Sequence, residues 1–270
     1  PSKQTTRLLT IAAALVVTAV VATVPTGASL TTGGQYAVAT MAFAAILWIT
    51  GAIPLPLTAL LIPVLLTVFG VYPDFGDAVA GFADPVIFLL LAGFMLAEAL
   101  QAHEIDRRVA FSILVWFGTS ARGLVLGVMV ATALLSMLIS NTATVAMMVP
   151  IVLGIVESVT DLTKTNDQAA PAEASNFQVG MLLGVAYAAS LGGVGSLIGT
   201  PPNAIVVGQL RELLGIEITF VQWFAVGLPM VVVTLPVAWV LLTHVVYPPE
   251  PYDVSRARDR ARDRLQSMGP

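Results

Sequence analysis

"GLVLGVMVATALLSMLISNTATVAMMVPIVLGIV", residues 123–156, runs for 34 residues without one charged side chain. As a single helix rising 1.5 Å per residue it would measure about 51 Å, far more than the ~30 Å of a bilayer's hydrocarbon. Two complete spans with a turn need more than about 40 residues, so the run is too short for a pair. The remaining solution is a hairpin of two short arms that enters and leaves on one side. Its tip falls near the middle, at Ser140-Asn141-Thr142. Non-helical backbone at membrane depth is tolerated only against protein or a water-filled cavity, so the tip is expected to line a cavity. The competing reading is that these hydroxyls bond back to helix carbonyls or to a neighbouring helix.

Composition agrees with a membrane setting. Of 270 residues, 57% are hydrophobic and only 10% charged, where soluble domains carry about 25% charged residues. Mean hydropathy is +0.90. Apolar runs built from helix formers fill the chain, and the weak ten-residue alternation of a β-barrel is absent. The class is therefore an all-α polytopic membrane protein. There are no cysteines, which excludes disulfides and thiolate chemistry. A net charge of −4 gives no basis for a nucleic-acid partner; membrane lipid is the expected surroundings. His103 and His244 fall near span ends and read as interfacial polar residues.

Outward from the hairpin, spans are expected at roughly 8–24, 35–51, 55–70 and 86–101. The first also has the form of a signal peptide, with Lys3 and Arg7 ahead of an apolar middle; a retained span is the preferred reading. Glu98 lies near the end of the fourth, where a carboxylate can snorkel to the interface. "QAHEIDRRVAFSILVWFGTSARG", 101–123, reads as an amphipathic helix along the membrane surface. Beyond the hairpin, Phe177 to Leu210 is a second uncharged run of 34 residues. Basic residues decide whether it crosses once or turns back, because cytoplasmic loops collect Lys and Arg. A single crossing, followed by a last span at 219–246, puts eleven of the twelve basic residues inside and leaves only Arg211 outside. Six crossings plus one re-entrant hairpin follow, with both termini cytoplasmic and the acidic joint 71–85 external. The expected divisions are 1–118 for scaffold spans and the interfacial helix, 119–158 for the hairpin and 177–215 for a broken helix. The last span is 219–246, and 247–270 is a linker or surface helix.

The second run is broken at "SLGGVGSLIGTPPNAIVVG", residues 190–208. Glycines permit unwound backbone with close approach. Pro201 and Pro202 block a helix from continuing backwards, so a new one is expected from about Asn203. Helix ends inside a membrane leave free carbonyls on one side and free N–H groups on the other. Oxygens suit a small hard cation, and helix starts suit a carboxylate or oxyanion. Discontinuous helices of this kind mark binding sites of secondary transporters. Ser136 stands four residues before Ser140, on the same helix face, so its hydroxyl can join the tip in holding a cation. Neither uncharged run holds an Asp, Glu, Lys, Arg or His. A neutral site cannot balance a multiply charged anion in hydrocarbon, so bound cations must supply the charge. That predicts coupling to Na⁺ in preference to protons.

Ser140-Asn141-Thr142, "GGVGSLIGTPPN" (192–203) and "ADPVIFLLLAGFMLA" (83–97) together resemble the N-terminal half of the divalent anion:sodium symporter (DASS) family, over nearly the whole chain. The resemblance implies Na⁺-driven uptake of dicarboxylates, citrate or sulfate by an elevator movement, in homodimers of a plasma (inner) membrane protein. By motif position it implies a Na⁺ site of Ser136, Ser140, Asn141 and the backbone of Gly199. The anion would meet Ser140, Asn141 and Thr142, with Thr200 and Pro201 close by. Family members carry two inverted halves, each with its own tip and break. This sequence has one of each, so the resemblance also implies a missing C-terminal half or a partner chain.

Two other readings remain open: a related ion transporter, moving an inorganic oxyanion or exchanging Na⁺ for H⁺, and a non-transporting membrane scaffold subunit. An enzyme is not expected, since the sequence contains no HExxH, no GxSxG and no paired midplane carboxylates.

Overall fold

A computed structural model describes residues 3–24, 30–117, 120–160, 175–250 and 254–268. Most of these residues are helical, with no strand among them. The protein is an all-α polytopic membrane protein. Among the described residues five helices are long and apolar enough to cross a membrane: Gln4–Thr23, Thr32–Thr50, Pro85–Ala102, Asn176–Val194 and Phe220–Val246.

Two compact units divide the chain, Pro1–Asp84 and Pro85–Pro270. The first contains α1 (Lys3–Thr23), α2 (Thr32–Thr50), α3 (Leu55–Val68) and the short α4 (Phe75–Val79). Thr31 caps α2 by accepting the Gly34 N–H at 3.1 Å, and Gly51 ends it in the left-handed region at φ 61°. Its core is small: Ala14, Phe43, Leu47 and Ala52. The Gln35 amide donates to the carbonyls of Val21 and Val24, at 2.9 and 2.7 Å. Val21 lies in the last turn of α1 and Val24 directly after it, where carbonyls find no partner inside the helix.

The second unit holds α5 (Pro85–Ala102), α6 (Ile105–Phe117), α7 (Ala121–Ser136), α8 (Asn141–Thr160), α9 (Asn176–Val194), α10 (Pro201–Leu214), α11 (Phe220–Val240) and α12 (Ser255–Ser267). A π-turn, Leu241–Val246, extends α11. This unit begins at Pro85 and includes α5 and α6. The reason is packing: α6 buries Asp106, Ala110 and Leu114, one side of the helix, and lies against α7 and α12. The tail is a helix, and its buried Val254 and Ala261 join the same core.

α7 and α8 are parted by a break at residues 137–140. α8 is longer than a short arm, because its last turn continues past the uncharged run through Glu157. α7 is the most enclosed helix, since the packing of α9 buries it from Ala121 to Ser136. The Trp239 indole donates to the Arg122 carbonyl at 3.0 Å, tying the end of α11 to the start of α7. Asn176 donates to the Pro248 carbonyl at 3.3 Å, tying the start of α9 to the same end of α11. The hairpin base and the start of α9 therefore share one end of the unit, and the two breaks share the other.

Candidate ion and anion site

The two breaks meet. The hairpin break is capped by Ser140, whose hydroxyl accepts the Ala143 N–H at 3.3 Å while its carbonyl accepts the Thr144 N–H at 2.9 Å. Ser136 closes α7 and is fully buried. Its hydroxyl lies 2.7 Å from Asn141 Oδ1 and 2.8 Å from the Ala189 carbonyl of α9. One hydroxyl proton thus has two acceptors. When it points at Ala189, the lone pairs of Ser136 Oγ and Asn141 Oδ1 are both free to face a cation.

The second break, residues 195–200, is held by its own side chains. Asn203 Nδ2 donates to the carbonyls of Gly193 and Ser196, both at 2.8 Å. The Ser196 hydroxyl donates to the Met137 carbonyl of the other break. Contact this close requires glycine at particular places. A Cβ on Gly192 would overlap the Ala133 carbonyl, and one on Gly193 would overlap the Asn141 carboxamide. A Cβ on Gly199 would stand 2.5 Å from the Gly193 carbonyl oxygen and 2.9 Å from that of Ser136. The backbone oxygens of Ser136 and Gly193 therefore converge on Gly199, and Gly193 in turn lies against the Asn141 carboxamide.

On the outer side stand the starts of two helices. Thr142 is exposed on the first turn of α8, and the N–H groups of Asn141 and Thr142 have no acceptor inside their own helix. α10 starts at Pro201, two residues earlier than expected from the sequence, because a proline fits the first turn of a helix as well as it blocks what precedes it. Thr200 is its N-cap, with extended backbone at φ −150° and no capping bond from its side chain. Pro201 and Pro202 lack N–H groups, and the Asn203 N–H is bonded to the Thr200 carbonyl at 3.1 Å. α10 consequently offers a positive helix end but no free donor in its first three positions. Directed hydrogen bonds to an anion must come from the hairpin tip and the Thr200 hydroxyl.

The structure thus brings Ser136, Ser140, Asn141 and Gly199 to one place. Thr200 and Pro201 lie at the adjoining helix start, and no hydrogen bond joins them to Thr142. No His, Cys, Asp or Glu cluster that could hold a metal occurs among the described residues. Sequence reasoning missed Ser196, Ala189 and Trp223. The indole of Trp223 donates to the Val194 carbonyl at 3.0 Å, taking up one of the free carbonyls at the end of α9. A Cβ on Gly227, one turn further along α11, would stand 2.8 Å from that carbonyl and 2.9 Å from that of Gly195. An indole N–H in an otherwise apolar run was the available signal for Trp223.

A family model described as the sodium:sulfate symporter transmembrane region matches residues 5–270. The chain belongs to this family. Among sodium:sulfate symporter relatives, the sodium-dependent dicarboxylate transporter SdcS of Staphylococcus saprophyticus is 35% identical over 241 residues, which is 89% of this chain and 46% of that protein. The SdcS of Staphylococcus aureus strain USA300 is 39% identical over 214 residues, 79% of this chain and 41% of that protein. The chain thus spans under half the length of these relatives.

Proposed function

We propose that this chain forms the N-terminal half of a Na⁺-coupled carrier for divalent anions. Its substrates would be dicarboxylates such as succinate or malate, citrate, or sulfate, moved by an elevator displacement. The observation that carries this reading is the meeting of the two breaks: an uncharged oxygen cluster lies behind two helix starts. Na⁺ sits among Ser136 Oγ, Ser140, Asn141 Oδ1 and the backbone at Gly199. Its charge, together with the positive ends of α8 and α10, offsets that of an anion held by Ser140, Asn141, Thr142 and Thr200, with Pro201 beside it. Because no side chain there titrates, the anion is bound only when the cation is present, and that obligation is the coupling. The relatives are described as sodium-dependent dicarboxylate transporters, and the family description names sulfate; both support this anion class. No covalent step is involved, so the reading includes no enzymatic activity.

In this reading the spans up to residue 118 serve as scaffold and make the homodimer contact. α6 links them to a transport domain of the hairpin and the broken helix. The protein lies in the inner membrane with both termini cytoplasmic, and a C-terminal half, or a partner chain, completes the second wall of the pocket.

The test is thermal stability of the purified chain in detergent, in Na⁺ or choline, each with and without succinate, citrate and sulfate. Ligands that bind only the native state raise its stability by mass action. A Na⁺-specific rise, increased by one anion and lost in Asn141→Ala, is expected. An Asn141→Ala protein that responds like the unaltered one would reject the tip as the site.

A further inference from the structure

We propose that the Thr144 hydroxyl is a further oxygen of the cation site, lying on its inner side. The inference rests on the reading of the hairpin tip as that site. Thr144 is fully buried, and its hydroxyl has no hydrogen-bond partner among the described residues. This departs from the habit of the molecule. Thr18, Thr40, Thr67, Thr132, Thr234 and Thr243 each donate to the carbonyl four residues back. Thr144 does not, although the Ser140 carbonyl in that position accepts its backbone N–H.

Its place on α8 gives the unpaired hydroxyl a direction. Thr144 heads the core-facing stripe that continues through Met148 and Val152, both fully buried. A valine would suit that stripe as well by shape and would carry no polar atom. Asn141 is three residues earlier and Ser140 four, so both stand one turn nearer the helix start on the same face. Helical side chains lean toward the N-terminus, which tilts the Thr144 hydroxyl toward the Ser136–Asn141 pair from the protein side. Hard cations gather about six oxygens. The tip offers Ser136 Oγ, Asn141 Oδ1, Ser140 Oγ and neighbouring carbonyls from above. Thr144 supplies the oxygen from below, to the ion or to water bound to it. An unpaired buried hydroxyl is costly in the ion-free protein; binding the ion gives it a partner.

The experiment titrates Na⁺ against choline at constant ionic strength and reads thermal stability in the unaltered chain and four variants: Thr144→Val, Thr144→Ser, Asn141→Ala and Thr58→Val. Thr58 is the control, a buried threonine of the first unit whose hydroxyl is likewise unpartnered. Thr144→Val is expected to raise the Na⁺ midpoint roughly tenfold or more, about the worth of one hydrogen bond to a charged group. In choline alone it should be at least as stable as the unaltered chain. Thr144→Ser should restore the midpoint, and Thr58→Val should leave it unchanged. An unchanged midpoint in Thr144→Val, with the response lost in Asn141→Ala, overturns this inference and spares the tip. A Thr144→Val protein that is less stable than the unaltered chain in choline also overturns it, since the hydroxyl then has a structural partner. A normal response in Asn141→Ala, or none in the unaltered chain, removes both readings.

Discussion

Gly193 leaves room for the Asn141 carboxamide and nothing larger, because a Cβ there would overlap it. Gly193→Ala should therefore displace Asn141 Oδ1 from Ser136 and abolish the Na⁺-dependent rise in melting temperature. The cost to the ion-free protein should be about 1–3 kcal/mol, the usual range for overpacking. At the outer side, Thr200→Val removes a hydroxyl that caps nothing in its own helix. Anion affinity measured in saturating Na⁺ should fall roughly tenfold, with the Na⁺ response unchanged. The tip at Ser140 and Asn141 was legible in the sequence because the lack of charge over 34 residues forces a break there. The helical spacing of four expected between Ser136 and Ser140 is not what places Ser136, since α7 ends at that residue and its hydroxyl meets Asn141 across the break. Ser196 and Ala189 were not legible. They meet the hairpin across 59 and 53 residues of chain, and no local period encodes which carbonyl a distant hydroxyl will find.

Among the elements, α11 acts as a splint for the broken helix, joined to the end of α9 through Trp223 and to the start of α7 through Trp239. Trp223→Phe leaves the Val194 carbonyl without its donor. It should cost about 0.5–1.5 kcal/mol, the net worth of one hydrogen bond at a partly buried carbonyl, read as a lower melting temperature in choline and in Na⁺ alike. The long helices were readable from the run lengths, whereas the caps supplied by Thr31, Ser120, Ser175 and Thr219 came only with the structure. The start of α10 was misplaced by two residues, because prolines signal both an end and a first turn, and only the neighbouring backbone decides between them. The docking of α12 on α6 was not readable, since alternating Arg and Asp give no hint of which face is covered.

For the whole molecule, charge distribution fixes the expected sidedness: Arg211, on the last turn of α10, is the one basic residue placed outside. Arg211→Cys in this cysteine-free chain should label with a membrane-impermeant thiol reagent added to intact cells; labelling only after permeabilisation would reverse the crossing of the broken helix. A carrier must also empty its site as readily as fill it. Ser136 has one proton and two acceptors at nearly equal distance, 2.7 and 2.8 Å. In the proposed cycle, loading and unloading the ion includes a rotation of this one hydroxyl. Rotations of that kind take picoseconds to nanoseconds, whereas collective displacement of helices takes microseconds to milliseconds. Turnover would then be governed by how fast the site is carried from one face to the other, and equilibration with the ion at each face would be complete long before the next stroke.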